Sequence, residues 1–277
     1  MLSFPPRFKA SLALLTFVVV IFSPSLAPAR DFSSLDIMKL KVQASMGDWD
    51  AQKSLGAAYS NDNFGIPKDR IAAIKWYSEA EASNDYKKEW FQAELQSEIG
   101  DLYREGNDQD KLIAIEWFEK VLRNGDALDI SVASKKLGYM YRNGEGVQAD
   151  KELLIKYFTR SAELDNHRAQ FVLGYMYCEG EALVNDFKAG LKWTLKAAEG
   201  GVKAAQYNLG VGYIVGDKCT GKDHVLGYMW MNILSNLNYK DAEEIKNNLS
   251  TMSPADISKA QKLSQECITQ NYKDCGH

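Results

Sequence analysis

Small and apolar residues recur along the chain at intervals of three and four positions, the spacing that places side chains on one face of an α-helix. Ala133, Leu137 and Tyr141 follow this spacing in one segment, and Leu154 and Phe158 follow it in the next. A polar, glycine-containing stretch separates the two segments. The pattern therefore predicts two amphipathic helices joined by a loop.

This two-helix pattern occurs five times. Each copy contains a leucine or isoleucine followed by a glycine, and successive glycines lie 44, 38, 36 and 36 residues apart. The glycines are Gly56, Gly100, Gly138, Gly174 and Gly210. A tyrosine follows each glycine by three residues; these are Tyr59, Tyr103, Tyr141, Tyr177 and Tyr213.

A second fixed spacing lies farther along each copy, where an aspartate precedes a large aromatic residue by seven positions. The pairs are Asp69/Trp76, Asp110/Trp117, Asp150/Tyr157, Asp186/Trp193 and Asp223/Trp230. Lengths vary only outside these two spacings, as expected of loops between rigid elements. Two short helices cannot bury both of their apolar faces alone, so the repetition predicts that each copy stacks on the next.

Single residues of a copy have predicted roles. Gly138 is expected to let a neighbouring backbone approach closely, and Gly144 to end the first helix because glycine accepts a positive φ. Asp150 is expected to cap the second helix by accepting hydrogen bonds from its free N–H groups. After the last copy, Ser253, Pro254 and Asp256 are spaced like the start of a closing helix.

The N-terminal 29 residues have the layout of a secretory signal peptide. Arg7 and Lys9 precede a largely apolar stretch from Leu12 to Phe22, and residues 27–29 offer an A-x-A cleavage site. The stretch is short for a membrane span, although a retained N-terminal anchor is the alternative. We expect a periplasmic or secreted protein without stable membrane insertion after cleavage.

The charge balance excludes some classes of partner. The chain carries 33 Lys and Arg against 37 Asp and Glu, a net charge of −4, and removal of the leader with its two basic residues makes the balance more acidic. Nucleic-acid binding depends largely on basic residues that neutralise phosphate. An acidic chain without a basic stripe is therefore not expected to bind nucleic acid.

The repeats resemble the Sel-one-like repeat family, 36-residue relatives of the tetratricopeptide repeat. The motif A-x-x-x-L-G-x-x-Y, a later Asp and an A-A-E-x-G ending carry the resemblance, most clearly in "AQFVLGYMYCEGEALVNDFKAGLKWTLKAAEGG" at residues 169–201. It implies an all-α, right-handed α-solenoid of stacked antiparallel helix pairs with terminal capping helices. The expected division is a capping helix in 30–46, five repeats in 47–240, and capping helices with a tail in 241–277.

The resemblance also implies that one stripe of each first helix lines a concave, partner-binding face. Counted from the Leu or Ile of each copy, the stripe includes positions −2, +2 and +5. The candidate binding residues are Tyr139, Phe171, Tyr175 and Tyr207 as aromatic anchors, with Asp101, Arg104, Lys135 and Arg142 as polar selectors. Aromatic residues and arginine dominate interface hot spots. The alternative is that these aromatic residues pack between repeats as additional core.

Four cysteines in an exported chain favour disulfides over reactive thiols, with free buried thiols as the alternative. Cys267 and Cys275 have a spacing seen in secreted members of the family, and that pairing requires the closing helix to end near residue 270. Cys178 and Cys219 belong to adjacent repeats, so a bond between them is expected to join those repeats.

Enzymatic chemistry has little support in the sequence. The chain has three histidines and lacks H-E-x-x-H, G-x-S-x-G and phosphate-binding glycine motifs. A zinc site that combines Cys178, Cys219 and His224 lacks an evident fourth ligand. We expect no cofactor and no metal.

The sequence therefore favours a non-enzymatic scaffold that binds another protein. Exported relatives suggest an immunity protein that neutralises a secreted toxic effector, and a regulator of envelope signalling or an assembly factor is the alternative. A cell-wall or glycan-binding module and a β-lactamase-like enzyme are further alternatives.

Overall fold

The computed structural model describes residues 34–83, 88–180, 186–249 and 252–275, and within them the fold is all-α. The predicted signal peptide lies outside these residues. Extended pairing in the described part is limited to an isolated bridge between Asp217 and Gly221. None of the described helices is long and apolar enough to cross a membrane. The predicted all-α solenoid is confirmed.

Thirteen helices follow one another in the described residues, and the helices of the repeats pack mainly against their neighbours in sequence. They are α1 (Ser34–Ser45), α2 (Trp49–Ser60), α3 (Arg70–Ala82), α4 (Lys88–Arg104), α5 (Asp108–Asn124), α6 (Ala127–Asn143), α7 (Lys151–Glu163), α8 (His167–Cys178), α9 (Phe187–Glu199), α10 (Lys203–Val215), α11 (His224–Asn236), α12 (Ala242–Asn247) and α13 (Pro254–Thr269). We call α2, α4, α6, α8 and α10 the first helices of repeats 1 to 5, and α3, α5, α7, α9 and α11 the second helices.

Most second helices begin at the predicted aspartate. The Asp150 carboxylate accepts hydrogen bonds from the backbone N–H groups of Glu152 and Leu153, and Asp69, Asp186 and Asp223 cap their helices in the same way. As predicted, Gly144 ends α6 in the left-handed conformation at φ 68°. These caps define where each loop of the solenoid stops.

Repeat 2 departs from this rule. Its second helix is capped by Asn107, and Asp110 lies within the first turn, where its carboxylate accepts from the Asn107 backbone N–H. Arg70 of the preceding repeat also donates to the Asp110 carboxylate at 3.1 Å. The loop before this helix is shorter than in the other repeats, so the helix starts before the aspartate is reached.

The repeated glycine accommodates a side chain of its own repeat. A Cβ atom added to Gly138 would lie 2.8 Å from ring carbons of Phe158, and the same conflict arises between Gly56 and Tyr77 and between Gly100 and Phe118. The prediction that Gly138 admits a neighbouring backbone is therefore wrong, because the ring of Phe158 occupies that space.

Backbone does approach the glycine closely in repeat 4. There the position of the ring is taken by Thr194, and a Cβ on Gly174 would lie 2.8 Å from the Thr194 nitrogen. The glycine thus serves two kinds of contact: it admits an aromatic ring in repeats 1 to 3 and a helix backbone in repeat 4.

A buried glutamine connects successive repeats. Gln170 and Gln206 lie three residues before the repeated leucine, and each donates through Nε2 to a carbonyl near the end of the preceding second helix, at 3.0 Å. Gln52 makes the equivalent bond to Ala44 of α1 at 3.1 Å. Because a helix end leaves carbonyl groups without intrahelical partners, these bonds help to fix how each repeat stacks on the last.

The two ends of the solenoid are closed by helices. At the N-terminal end α1 packs on α2 through Leu40 and Ala44. At the C-terminal end Ser253 caps α13 as predicted, and α13 packs on α11. The helix ends at Thr269, Asn271 adopts a φ of 55°, and the chain turns back.

Candidate partner-binding groove

The four predicted aromatic anchors differ in exposure and surroundings. Tyr175 is 39% exposed, whereas Tyr139, Phe171 and Tyr207 are partly buried. The Tyr139 ring packs edge-on against Phe158 at a centroid distance of 5.0 Å, so it belongs largely to the core of its repeat. Phe171 also packs against a core cluster. Tyr139 and Phe171 therefore contribute mainly to the core, whereas the exposed Tyr175 is available for contact with a partner.

Tyr175 of α8 and Tyr207 of α10 both line one cavity, which thus involves the first helices of repeats 4 and 5. The cavity has a volume of about 240 Å³. Leu191 and Thr194 of α9 line it from the second helix of repeat 4. We call it the aromatic groove, and its remaining lining residues are Cys178, Glu179, Asn208, Leu209, Val211, Gly212, Val215, Asp217, Cys219 and Thr220.

A disulfide forms part of the lining of the aromatic groove. It joins Cys178 at the end of α8 to Cys219 in the loop after α10, with a Cα–Cα distance of 5.5 Å. Gly190 of α9 makes room for it, since a Cβ at that position would lie within 3 Å of both sulfur atoms. The bond therefore fixes a loop of repeat 5 to the first helix of repeat 4.

The loop that contains Cys219 is ordered by a single carboxylate. Asp217 Oδ1 accepts from the backbone N–H of Cys219 at 2.9 Å, and from the backbone N–H and the hydroxyl of Thr220 at 2.8 and 2.9 Å. Local hydrogen bonds of this kind hold a turn without help from secondary structure. This side of the groove is consequently preorganised.

A second disulfide joins Cys267 and Cys275 after α13, with a Cα–Cα distance of 5.3 Å. It occurs because the helix ends before Asn271, as the predicted pairing required. Both sulfur-bearing residues are buried in the same core cluster as repeat 5. The bond joins the C-terminal turn to α13, and both cysteines pack against the repeat that forms one wall of the groove.

Two of the predicted polar selectors are engaged between repeats 2 and 3. Arg104 donates to both carboxylate oxygens of Glu145, at 2.6 and 3.0 Å, and Lys136 forms an ion pair with Asp101. The hydrogen bond from Arg104 lowers the pKa of Glu145, and the same bond raises the pKa of Arg104. Arg104 and Asp101 thus stabilise a repeat junction.

The other two polar selectors have no such partner. Lys135 and Arg142 form no ion pair with any residue that the structure describes. Arg142 is exposed at the end of α6, while Lys135 is partly buried and lines a different surface depression. The structure therefore brings Tyr175 and Tyr207 together and leaves Tyr139, Lys135 and Arg142 outside the aromatic groove.

Sequence reasoning missed several residues of the groove, notably Glu179, Asn208 and Val215. Glu179 and Val215 lie six positions after the repeated leucine, four after the stripe position +2. A helix face continues at i and i+4, so positions −2, +2 and +6 form a better stripe than one that ends at +5. That spacing would have identified Val215, whose side chain is 64% exposed.

The groove suits side chains of a protein partner. Its volume of about 240 Å³ is below the roughly 300–1,000 Å³ of typical small-molecule pockets, yet it can accept one or two apolar side chains. In the described residues no group of three or more His, Cys, Asp or Glu is placed to hold a metal ion. Cys178 and Cys219 are bonded to each other, so neither offers the thiolate that a zinc site with His224 needs.

Comparison with known families identifies the repeats. The Sel1 repeat matches five segments that together cover more than half of the chain: residues 49–85, 93–126, 131–166, 167–202 and 203–239. The chain belongs to the Sel1 repeat family. A search of curated proteins found no match.

Solved structures share the fold at low sequence identity. A protective antigen of uropathogenic Escherichia coli with an SLR fold is 24% identical and superposes with a TM-score of 0.59 over 86% of this chain, which spans about 50% of the antigen. A Sel1 repeat protein from Oxalobacter formigenes is 20% identical, with a TM-score of 0.53 over 86% of this chain and 99% of that one. These similarities show the solenoid fold alone.

An immunity protein from Pseudomonas aeruginosa is more distant. It is 18% identical, with a TM-score of 0.39 over 77% of this chain and 76% of that one. A likeness at this level has no bearing on function.

Proposed function

We propose that this protein is an exported, non-enzymatic scaffold that holds a segment of a partner protein in the aromatic groove. The observation that carries the proposal is the groove itself: two tyrosines of successive repeats face one preformed cavity sized for side chains. Tyrosine supplies a large contact area at a low cost in conformational entropy. Sel1 repeats suggest protein–protein interaction, which agrees with this use of the fold.

Export is supported by the cysteines. Both described pairs form disulfides, and the described chain has no free cysteine. Disulfides persist mainly in oxidising compartments such as the periplasm or the outside of the cell. The signal-peptide layout of the first 29 residues agrees with this location.

Within this class we favour an immunity protein that neutralises a secreted toxic effector. An immunity protein acts by binding its effector and blocking it, without catalysis. A preorganised groove is suited to that kind of binding. A regulator of envelope signalling or an assembly factor would use the same groove on a different partner, so the identity of that partner decides between them.

The direct test is photocrosslinking in the envelope of the native cell. A benzoylphenylalanine placed at Val215, on the rim of the groove, should capture one protein, and adding Tyr175→Ala should abolish the capture. Ile71 provides the matched control, because its side chain is 67% exposed against 64% for Val215 and it lies on α3 of repeat 1. Capture at both positions, or at neither, would contradict the proposal.

The captured partner then permits a quantitative test. Val215→Asp should weaken its binding by about 30-fold, the effect of losing one interface hot spot of about 2 kcal/mol, whereas Ile71→Asp should leave the affinity unchanged. In cells, a toxic partner that kills only when this gene is deleted would establish immunity. A specific glycan that is retained through Tyr175, with no protein crosslinked, would establish a glycan-binding module instead.

A further inference from the structure

A second depression crosses repeats 3, 4 and 5 at the starts of their first helices. It has a volume of about 750 Å³ and is lined by α6, by the turn before α8 and by the turn before α10. Three cationic residues line it, one from each repeat: Lys135, Arg168 and Lys203. We call it the cationic groove. It is separate from the aromatic groove, with which it shares no lining residue.

The three cations have no acidic partner in the described part of the chain. Each forms neither an ion pair nor a side-chain hydrogen bond with any residue that the structure describes. Asp165 is the one carboxylate that lines the groove, and its side chain is exposed. Burial lowers the pKa of Lys135, and the positive charges of Arg168 and Lys136 lower that pKa further. Lys135 is therefore close enough to Arg168 to be repelled by it, and no ion pair in the described residues offsets the charge of Lys135, Arg168 or Lys203.

This arrangement contrasts with repeats 1 to 3, where cations of successive repeats are paired with carboxylates. The junction pairs there are Lys53–Glu94, Lys68–Glu105, Arg70–Asp110, Lys136–Asp101 and Arg104–Glu145. An uncompensated row of cations is also unusual for a chain whose net charge is −4. Neighbouring like charges are destabilising unless an opposite charge relieves them.

The rim of the groove adds an apolar element. Leu128 lies at one end and is 70% exposed, which is high for a leucine. His167 also lines the groove, with its ring against Gly200, where a Cβ would lie only 2.1 Å from the ring. The surface thus combines positive charge with an exposed apolar contact.

We propose that the cationic groove binds an acidic polypeptide segment, with Lys135, Arg168 and Lys203 paired to its carboxylates and Leu128 in contact with an adjoining apolar residue. Three successive repeats span on the order of 20 Å, which an extended chain of about six residues covers. This surface does not depend on the aromatic groove, so either can be present without the other.

Fluorescence anisotropy with a labelled octaglutamate peptide that ends in leucine tests the proposal on the mature chain. At low salt the native protein should bind the peptide, and replacing all three cations with glutamine should weaken binding roughly 3- to 100-fold, as three solvent-accessible ion pairs allow. Added salt should weaken binding by the native protein. Arg168→Gln with Lys203→Gln provides a second variant at two exposed positions, in case the change at Lys135 disturbs the fold.

The matched control removes three exposed lysines from the second helices. They carry no ion pair in the described structure and lie outside the groove: Lys151, Lys188 and Lys192. Their change to glutamine alters the net charge equally and should leave affinity within about twofold.

Three results would overturn the proposal. The first is an equal loss of affinity in the control variant, which would indicate a response to net charge alone. The second is the absence of octaglutamate binding at low salt. The third is binding of a heparin octasaccharide that octaglutamate cannot displace, which would identify a sulfated glycan as the ligand. None of these results depends on Tyr175 or Tyr207, so the test is independent of the aromatic groove.

Discussion

The contact between Gly138 and Phe158 permits a direct test of how a repeat closes on itself. A Cβ at residue 138 would lie 2.8 Å from two ring carbons, well inside an ordinary contact of about 3.4–4 Å. Both residues are fully or almost fully buried, so the ring has little room to move. Overpacking of this kind costs about 1–3 kcal/mol. Alanine, however, favours a helix by about 1 kcal/mol over glycine.

The two effects give the sign and size of the prediction. Gly138→Ala should destabilise the protein by about 0–2 kcal/mol, although it improves helix propensity. In a Phe158→Leu background the ring is gone, so the same substitution should be neutral or stabilising by up to about 1 kcal/mol. The coupling energy of the double-mutant cycle is therefore expected to be about 1–3 kcal/mol.

Urea unfolding followed by far-UV circular dichroism measures the four proteins of this cycle. The comparison is valid if the slope of unfolding free energy against urea is the same in all four. A Gly138→Ala protein that is more stable than the native one, or a coupling energy near zero, would refute the steric account. In that case the repeated glycine would have to be explained without the ring.

Three further outcomes are expected. Replacing Cys178 and Cys219 with alanine should lower the free energy of unfolding by about 4 kcal/mol, from a sequence separation of 41; a loss below about 1 kcal/mol in urea unfolding would contradict this. Glu145→Gln should flatten the pH dependence of stability. The pKa of Glu145 is lowered in the folded protein, so the stability that its carboxylate contributes is complete above the unfolded pKa of about 4.5. This stability is lost as the pH falls through the folded pKa of Glu145. Thermal melts between pH 6 and 3 measure this, and parallel curves for both proteins would count against the bidentate pair with Arg104. Gln206→Glu should destabilise by about 3–5 kcal/mol at pH 7, because it buries a carboxylate, and should recover toward pH 4, where a protonated carboxyl can again donate to the Ala198 carbonyl; a variant equally unstable at both pH values would be inconsistent with that cause.

Periodicity and capping chemistry were enough to predict most of the fold. The spacing of Ala133, Leu137 and Tyr141 identified a first helix, and Asp150 located the start of the second. These features are local, so the sequence shows them directly. The Asp–aromatic spacing alone does not locate the helix start in repeat 2, because Asn107 caps that helix in place of Asp110, and both residue types are good N-caps.

The candidate site was only partly predictable. The sequence pointed to Tyr175 and Tyr207, but their shared cavity depends on how two repeats pack, which periodicity does not specify. The partners of Arg104 and Asp101 lie about 40 and 35 residues away in the next repeat. Whether such residues of adjacent repeats meet depends on the stacking angle between the repeats. The sequence therefore showed that Arg104 and Asp101 are charged, but not that they are paired.

The disulfide between Cys178 and Cys219 has a mechanical consequence. A solenoid can bend along its length, because each repeat contacts only its neighbours and small changes in stacking angle add from repeat to repeat. A covalent bond between repeats 4 and 5 removes this freedom at one junction, while ion pairs at the other end can stretch and re-form. The junction between repeats 4 and 5 is therefore covalently restrained, and this junction contains the aromatic groove. When the rest of the solenoid bends, the distance between the two tyrosine-bearing helices should stay nearly constant.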